Sequence, residues 1–395
     1  MIKVGVIFGG ETVEHEVSII SAVQAMEKLD TEKYEIVPIY ITKDREWYTG
    51  EILKDIETYQ DFSLLKRYTK NVVLYFKKGR FVLQTKGLIK RVVKDIDIIL
   101  PVVHGTNVED GSLQGYLRTI GIPFVGSDVS SSAISQDKVF QKQIWSCYDL
   151  PMADYVWFYD EEYHVDSDEV IKKIEKKLDY PVIVKPATLG SSVGIEQAKN
   201  KEQLLEVIDR VLEYDTKVLV EEVVPNLTEV NISVLGNYEN FHLSEIEEVM
   251  GSHDLLTYDD KYLGNAKKAP SKGMASASRK IPADLTEKQK EEIEEVASVA
   301  FKALNASGVV RIDFLVNQKN KKVYINEINA CPGSLSFYLW EPKGKKYTDL
   351  LDELINIGIR DYKKRCNKIH SFDTNILQGY TGGMKGTKGL KGKLR

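Results

Sequence analysis

Cysteine is scarce in this sequence. The 395 residues include three cysteines, Cys147, Cys331 and Cys366, which lie far apart along the chain. Such spacing fits neither a disulfide framework nor a cysteine zinc site. The sequence also lacks a run of about 18 apolar residues, which a membrane-spanning helix would need, and its N-terminus predicts a strand rather than a signal peptide. We therefore expect a soluble cytoplasmic protein.

An excess of positive charge is missing as well. The formal net charge is −5, which argues against a nucleic-acid-binding protein, although a local basic groove remains compatible with it. Two familiar nucleotide-binding patterns, GxxxxGK[ST] and GxGxxG, do not occur. What the chain has is the composition of an ordinary globular protein, with 43% hydrophobic residues, and a length that fits two or three domains.

Polar side chains alternate with apolar ones in residues 311–333, which predicts two strands joined by the turn NQKNK. Glu327 and Asn329 then share one face of the hairpin. With this turn, Arg311 falls opposite Glu327, and Asp313 lies one diagonal step away. Carboxylate and amide oxygens are ligands that Mg²⁺ prefers, usually shared with substrate phosphates. The pattern favours a metal site; the alternative is a solvated polar face.

A small, hydroxyl-rich loop, TLGSSVG at 188–194, follows an apolar strand that carries Lys185. Backbone N–H groups and hydroxyls of such a loop can cradle phosphates, and a lysine adds positive charge. The alternative is a simple Gly/Ser hairpin turn. Lys185 at the end of an otherwise apolar strand favours the phosphate site.

Apolar, β-branched runs at 2–8, 35–42 and 95–103 predict buried strands. A helical pattern follows the first run, so the chain opens as an α/β unit. Residues 43–94 are polar and charged with hairpin-like pieces, and we expect them to be surface elaboration.

Three titratable residues stand where open α/β sheets place their sites, after the carboxyl ends of strands. Glu14 could cap the first helix, because acidic residues favour helix N-termini, or it could bind a substrate ammonium group. His104 and Glu109 follow the strand at 95–103. A lone histidine at such a position is more often structural than functional.

The C-terminal half contains one clear helix and two weakly patterned segments. TEKQ at 286–289 is a capping box, and it predicts a helix that reaches about residue 306. A segment as long and unpatterned as 250–282 is usually a lid, a binding loop or disorder. The Gly/Lys-rich end beyond residue 365 is expected to be mobile.

Seven motifs, in this order, resemble those of the D-alanine–D-alanine ligases of the ATP-grasp superfamily. They are FGGETVEHEVS, HGTNVEDGSLQG, SQDKVFQK, VKPATLGSSVG, VEEVV with TEVNISV, DDKY, and RIDF with NEINACPG. The resemblance extends to about residue 362. It implies an α/β fold in three parts, with ATP held between two antiparallel sheets.

The implied parts are an N-terminal parallel-sheet α/β domain at 1–125, a central ATP-grasp subdomain at 126–220 and a C-terminal α+β subdomain at 221–365. The last part would carry the metal site and a lid loop at 250–282. The basic tail at 366–395 has no counterpart in the resemblance.

The resemblance also implies a reaction. ATP would phosphorylate the carboxylate of one D-alanine, and the amine of a second D-alanine would attack the acylphosphate to give D-alanyl-D-alanine for peptidoglycan. Two anions must approach each other in the first step, so catalysis requires positioning and positive charge. ATP and Mg²⁺ or Mn²⁺, two ions, are the implied cofactors, and a homodimer is the family expectation.

By resemblance, one set of residues would bind ATP and metal. Lysines would hold phosphates, the glycine loop would close over them, and the glutamates and valine near 221–229 would contact adenine and ribose. The ATP set is Lys138, Lys185, Gly190, Ser191, Ser192, Val193, Glu221, Glu222, Val224, Glu229 and Lys261. The metal ligands would be Asp313, Glu327 and Asn329.

A second set would bind the amino acids and perform the chemistry. Glu14 would take the ammonium group of the first D-alanine, and with Ser191 and Tyr262 it would pin the long loop shut. The other members would lie near the first substrate or stabilise the oxyanion of the tetrahedral intermediate. Those near the substrate are His104 and Glu109, and those at the oxyanion are Arg311 and the Gly333 N–H.

The sequence departs from the family pattern on the acceptor side. Val108 stands where glycine is usual, and Tyr338 stands where a serine for the second carboxylate is expected; Ser334 or Ser336 could replace that serine. These departures keep a second hypothesis open, a related ligase with another acceptor such as D-serine or a hydroxy acid, although Tyr262 favours an amine. A non-catalytic ATP-binding protein is a third hypothesis, disfavoured by the complete set of cations and metal ligands.

Overall fold

The first sheet of the chain combines parallel and antiparallel strands. In this computed structural model, which describes residues 1–249 and 279–372, β1 pairs in parallel with β2 and β7, and an antiparallel extension follows beyond β2. The sheet order is β6-β5-β4-β3-β2-β1-β7. Its strands are β1 Ile2–Gly9, β2 Tyr34–Ile41, β3 Trp47–Thr49, β4 Lys70–Lys77, β5 Arg80–Thr85, β6 Val92–Ile96 and β7 Ile98–Pro101.

The expectation of surface elaboration at 43–94 is wrong. The predicted hairpin forms as β4 and β5, but it extends the main sheet through β3, and Leu74 and Leu83 are buried. The N-terminal sheet is therefore mixed rather than wholly parallel. Helices pack on it, among them α1, whose buried residues include Ile19 and Met26. These helices are α1 His15–Lys28, α2 Phe62–Tyr68 and α3 Ser112–Ile120, with 3₁₀ turns at Glu51–Lys54 and Ile56–Tyr59.

The second sheet is antiparallel and has the order β10-β9-β11-β8. Two short helices precede this sheet in the chain, and Asp137 lies between them. Its side chain accepts hydrogen bonds from the N–H groups of Val139 and Phe140 and so caps the second helix. The strands are β8 Tyr155–Tyr159, β9 Val182–Pro186, β10 Glu196–Ala198 and β11 Lys217–Glu222. The helices are α4 Val129–Gln136, α5 Lys138–Ser146, α6 Asp160–Val165, α7 Ser167–Lys177 and α8 Lys201–Val211.

The third sheet is also antiparallel, with the order β14-β13-β12-β15-β16. The predicted capping box is confirmed: Thr286 caps the following helix and Gln289 closes the box. The strands are β12 Leu227–Gly236, β13 Phe241–Val249, β14 Arg279–Lys280, β15 Gly308–Asn317 and β16 Val323–Asn329. The helices are α9 Glu287–Ala303 and α10 Tyr347–Cys366, with 3₁₀ turns at Gly333–Leu339 and Glu341–Lys343.

The hairpin of β15 and β16 forms as predicted, but its register differs. Arg311 pairs with Asn329 rather than with Glu327, and Asp313 lies directly opposite Glu327. A bulge follows Asp313, and Val316 pairs with Val323. With this register Asp313 and Glu327 are direct cross-strand partners, so their carboxylates lie closer together than in the register predicted from the simple turn.

One hydrophobic cluster joins the N-terminal sheet to the C-terminal part of the chain. Side chains of β1 and α1 share it with Leu335, Trp340 and the buried face of α10. The turn at 333–339 is therefore fixed against α1. Within residues 1–249 and 279–372, no helix has both the length and the apolar character needed to cross a bilayer.

Candidate active site

A cavity of about 680 Å³ opens between the two antiparallel sheets. It collects nearly all the residues that the sequence assigned to ATP and metal. Those that line it are Lys138, Lys185, Gly190, Ser191, Ser192, Glu221, Glu222, Val224, Glu229, Asp313 and Glu327. Val193 and Asn329 are not among the lining residues. The Val193 N–H donates to the Gly190 carbonyl and closes the loop as a turn.

Two buried lysines reach this cavity from the second sheet and the helix before it. Lys138 begins α5; its Nζ donates to the Leu189 carbonyl at 2.6 Å and lies 3.3 Å from Glu327 Oε2. Lys185 forms an ion pair with Glu221. The two ammonium groups thus face one space from different elements, as a phosphate site requires.

Lys142 is a buried cation that the sequence reasoning missed. Its Nζ lies 2.5 Å from Glu221 Oε1, so Glu221 is held between Lys142 and Lys185. Burial by itself would raise the pKa of Glu221, but the two ammonium groups lower it to about 2. The signal was present in the sequence: Lys138 and Lys142 are four apart and share one face of α5.

Asp313 and Glu327 line the cavity, and the guanidinium of Arg311 pairs with Asp313. The Arg311 side chain donates from Nε to Asp313 Oδ1 at 2.6 Å and from an Nη to Oδ2 at 2.7 Å. Although burial disfavours its charge, ion pairing with Asp313 raises the pKa of Arg311. The Asn329 amide donates to Asp313 Oδ2 at 3.2 Å.

The oxygen donors fit a hard divalent cation. Asp313 and Glu327 stand opposite each other on adjacent strands with Asn329 two residues further, and ATP phosphates would supply further oxygens. In the part of the chain that the structure describes, no group of three or more His, Cys, Asp or Glu side chains forms a metal centre by itself. An ion here would therefore depend on nucleotide oxygens.

The glycine loop meets Glu14 at the start of α1. The Ser191 hydroxyl donates to Glu14, which is buried and makes no side-chain capping bond to its own helix. Glu14 occupies the N-cap position of α1, as the capping alternative expects, but its side chain makes no capping hydrogen bond and contacts the glycine loop instead. Gly190 passes so close that a Cβ there would lie 2.5 Å from Glu14 Oε2. Only a glycine allows the carboxylate and the loop to approach this closely.

His104, which follows β7, connects helix α1 with the segment after β16. Its Nδ1 lies 2.7 Å from the Cys331 carbonyl oxygen and its Nε2 lies 3.2 Å from Ser21 Oγ. Burial lowers the pKa of His104 to about 4, so the ring is neutral at pH 7, donates from Nδ1 and accepts from Ser21. These contacts support the structural alternative for this histidine.

Glu109 lies beside this bridge. Its carboxyl accepts N–H groups from Gly105 at 2.9 Å and from Cys331 at 2.8 Å. Burial, together with the negative charge of Glu14, raises the pKa of Glu109 to about 8. At pH 7 the Glu109 carboxyl is therefore mostly protonated, and a buried carboxyl with so raised a pKa is typical of functional sites.

The turn after β16 begins at Gly333. It buries Ser334 and Ser336, the two serines that could replace the expected acceptor-binding serine at position 338. Ser334 donates from its N–H to Ser21 Oγ at 2.9 Å and from its hydroxyl to Gln24 at 2.7 Å. Ser336 is fully buried. Residues 334–336 have φ values of 49–52°, a left-handed turn that non-glycine residues adopt only under tertiary constraint.

Two predicted residues, Lys261 and Tyr262, and nearly all of the predicted lid at 250–282 lie outside the described residues, as does the tail beyond 372. Val108, which replaces the usual glycine, is buried, and its side chain occupies the space beside Gly10. Val108 is therefore a packing residue at the end of β1.

Two family models match the chain. The model described as D-ala D-ala ligase N-terminus matches residues 3–127, and the one described as D-ala D-ala ligase C-terminus matches residues 144–356. A D-alanine–D-alanine ligase of Thermosipho melanesiensis is 40% identical over 379 residues, which cover 96% of this chain and 99% of the relative. A D-alanine–D-alanine ligase of Natranaerobius thermophilus is 40% identical over 91% of this chain and 95% of its own.

Solved structures agree with these matches. The D-alanine–D-alanine ligase from Coxiella burnetii superposes with a TM-score of 0.78 at 27% identity, over 92% of this chain and 96% of that one. The VanG D-Ala:D-Ser ligase from Enterococcus faecalis superposes with a TM-score of 0.74 at 31% identity, over 90% of this chain and 99% of that one. The D-alanine–D-alanine ligase from Bacillus anthracis, in complex with ATP, superposes with a TM-score of 0.64 at 25% identity, over 92% of this chain and 100% of that one.

Proposed function

Because this chain belongs to the D-alanine–D-alanine ligase family, we propose that it joins two molecules of D-alanine at the expense of ATP. One observation supports this more than any other. Lys138, Lys185, Asp313 and Glu327 face a single cavity between two antiparallel sheets, and Arg311 is paired with Asp313. The cavity holds both the cations and the oxygen ligands that carboxylate activation by ATP requires.

The first step is the activation of the donor. Glu14 binds the ammonium group of the first D-alanine, which directs its carboxylate toward the cavity. Lys138 and Lys185 neutralise the phosphates of ATP, so the donor carboxylate can attack the γ-phosphorus and displace ADP. Lys185 must exchange its partner Glu221 for phosphate, and Lys142 then continues to neutralise Glu221.

The second step is the transfer of the acyl group. The acceptor amine attacks the acylphosphate carbon, a C–N bond forms, the C–O bond to phosphate breaks, and the amine loses a proton. Arg311 and the Gly333 N–H stabilise the oxyanion; one donor in this role is typically worth about 3–4 kcal/mol.

Mg²⁺, or Mn²⁺ in its place, is part of the proposal. Asp313, Glu327 and Asn329 would hold up to two ions together with nucleotide oxygens, and bound ions would neutralise the charge that develops on the transferred phosphoryl group. The three side chains supply the oxygen donors that such ions prefer.

A cytoplasmic homodimer is also our proposal, as is the division into segments 1–125, 126–220, 221–365 and 366–395. ATP consumption supports the cytoplasmic location. Light scattering coupled to gel filtration would measure the oligomeric state, and a monomer mass would overturn the dimer.

Phosphate release from ATP and Mg²⁺ tests the proposed function. The purified protein is incubated with D-alanine as the single amino acid, and the product is identified by mass. D-alanyl-D-alanine with stoichiometric phosphate is the expected result. Bound ATP without any phosphate release would overturn the proposal and favour a non-catalytic ATP-binding protein.

A second candidate, ligation of D-alanine to D-serine, has one observation in its favour. Tyr338 alters the acceptor side, and the chain is 31% identical to a D-Ala:D-Ser ligase. Competition between D-alanine and D-serine as acceptors distinguishes the two, because the favoured dipeptide dominates at equal concentrations.

A further inference from the structure

A row of polar side chains crosses the third sheet and continues beyond the proposed metal ligands. The backbone pairings join Glu327 to Asp313, Asp313 to Asn231, and Asn231 to Glu247. Directly paired residues of adjacent strands point to the same face. The row therefore runs across four strands, from β16 through β15 and β12 to β13.

The far end of this row is a set of four residues in mutual contact, which we call the Glu247 cluster: Glu247, Asn231, Arg279 and Tyr338. Glu247 accepts hydrogen bonds from the Asn231 amide at 3.0 Å, from Arg279 at 3.1 Å and from the Tyr338 hydroxyl at 3.3 Å. The Arg279 guanidinium carbon lies 3.7 Å from the centroid of the Tyr338 ring. Two contacts thus fix the plane of this guanidinium, an ion pair at one edge and an aromatic face below.

The cluster lies next to the reacting atoms of the proposed ligase. Asn231 and Asp313 line the ATP cavity, and Glu247 is the next member of the row. Arg311 stands on the neighbouring row, where its strand partners are Ser233 and Asn329. Arg311 is in electrostatic contact with both Glu247 and Tyr338.

The acceptor amino acid brings a carboxylate to this place. Its amine must reach the acyl carbon beside Arg311, and its own carboxylate follows within a few bonds. A buried carboxylate needs a cation and hydrogen-bond donors. Arg311 makes a two-bond pair with Asp313, and Arg279 of the adjoining cluster is paired with Glu247. The planar guanidinium of Arg279 carries the fork of N–H donors that recognises a carboxylate.

We propose that Arg279, seated on the Tyr338 ring and held by Glu247, binds the carboxylate of the acceptor amino acid. This inference rests on the proposed ligase function. Glu247 and Asn231 act as positioning residues for the guanidinium, and Tyr338 is the wall on which it lies. The cluster takes no part in making or breaking bonds, so its effect is confined to the second amino acid.

The test compares two acceptors that differ only in the carboxylate, D-alanine and D-alaninamide. The wild-type protein is expected to prefer D-alanine. Arg279→Ala should lower kcat/KM for D-alanine by roughly 30-fold or more, with little change for D-alaninamide, so that the preference disappears. A role in folding alone would lower both values together. Arg279→Gln repeats the test with a side chain of similar length, in case the alanine variant folds poorly.

Two controls separate this inference from the proposed function. Hydroxylamine traps the acylphosphate formed from the donor and ATP, and it carries no carboxylate; hydroxamate formation should be equal in wild type and Arg279→Ala. Lys280→Ala changes the neighbouring residue of β14, an exposed lysine paired with Asp284, and should leave both acceptors unaffected.

The outcomes have distinct meanings. If the wild-type protein forms neither hydroxamate nor dipeptide, the proposed function is wrong. If it forms both but Arg279→Ala and Arg279→Gln retain the preference for D-alanine over its amide, the ligase stands and the carboxylate site is wrong. If the wild-type protein accepts the amide as well as the acid, the carboxylate site is wrong too.

Discussion

The buried carboxylate of Glu221 lines the ATP cavity and is paired with Lys142 and Lys185. Single substitutions can test how much these ion pairs stabilise the fold. Because the folded-state pKa of Glu221 is about 2 and its ordinary value is 4.5, the charged form stabilises the fold. This contribution is complete above about pH 4.5 and is lost as the pH falls toward about 2. Lys142 supplies much of it from a fully buried position.

Lys142→Met is therefore expected to lower the free energy of unfolding by about 3–5 kcal/mol, the usual cost of removing one partner from a buried ion pair. With one cation left, the pKa of Glu221 rises, so the acid-side loss of stability should begin at higher pH than in the wild type. Urea titrations across the acid range measure both effects. Lys172→Met, at an exposed lysine, is the control; equal midpoints for the two variants would contradict the buried pair.

Glu327→Gln tests the proposed metal site. The substitution keeps the size of the side chain and removes the charge, so Mg²⁺ affinity in the presence of ATP should fall by at least about 100-fold, since even outer-shell partners of metal ligands are worth up to that factor. Calorimetric Mg²⁺ titration of the ATP complex gives the value without relying on turnover. Glu291→Gln, an exposed site on α9, is the control. An unchanged Mg²⁺ requirement would remove Glu327 from the site.

The secondary-structure elements show which features a local pattern can predict. The alternation of 311–316 and 324–329 predicts β15 and β16, and TEKQ predicts the start of α9, because each signal lies within a few residues. The bulge after Asp313 depends on how the whole hairpin closes, so the simple turn gave a register that is wrong by two residues at Arg311. Similarly, the pattern predicts the β4–β5 hairpin but not that the hairpin extends the main sheet.

Tertiary burial explains the site residues that the sequence did not reveal. The sequence places Lys142 on the same face of α5 as Lys138, but its partner Glu221 lies on β11, so the burial of the pair depends on the tertiary fold. Arg279 follows a stretch without clear periodicity, so nothing nearby marks it as part of a cluster with Tyr338. In contrast, the residues predicted to bind ATP and metal belong to recognisable motifs, and all of those described except Val193 and Asn329 line the cavity.

Gly190→Ala tests the contact between the glycine loop and α1. The added Cβ would displace the Glu14 carboxylate, so the KM for the donor should rise roughly tenfold, equivalent to about 1.4 kcal/mol. Stability should change by no more than about 0.5 kcal/mol, because the loop itself is not strained by alanine. Gly87→Ala, where no atom lies within 4 Å, is the control. A donor KM equal to that of the control would mean that Glu14 does not bind the donor.

At the scale of the whole molecule, the N-terminal sheet and α1 are joined by hydrogen bonds to the segment that follows β16. His104 and Glu109, after β7, contact the backbone of Cys331 after β16, and Ser21 of α1 accepts the N–H of Ser334. These contacts hold the segment after β7, the helix α1 and the turn at 333–339 in one fixed relation. Neither end of the chain can form this part of the site alone.

His104→Ala breaks the bridge. The Cys331 carbonyl and the Ser21 hydroxyl lose a buried partner, at about 1–3 kcal/mol for each group. The ATP cavity does not include His104, so ATP affinity should stay constant while the KM for the donor rises. His242→Ala, at an exposed histidine, is the control.

The pH dependence of the same variant distinguishes a lost bridge from general damage. Burial lowers the pKa of His104 to about 4, against an ordinary value of 6.5, so the unfolded chain takes up the proton more readily than the fold. The wild type should therefore lose stability as the pH falls from about 6.5 to about 4, and His104→Ala should lack this component. Identical slopes for both proteins in this range would mean that His104 is not a buried neutral link, and the coupling of the two ends would then rest on Glu109 and Ser21.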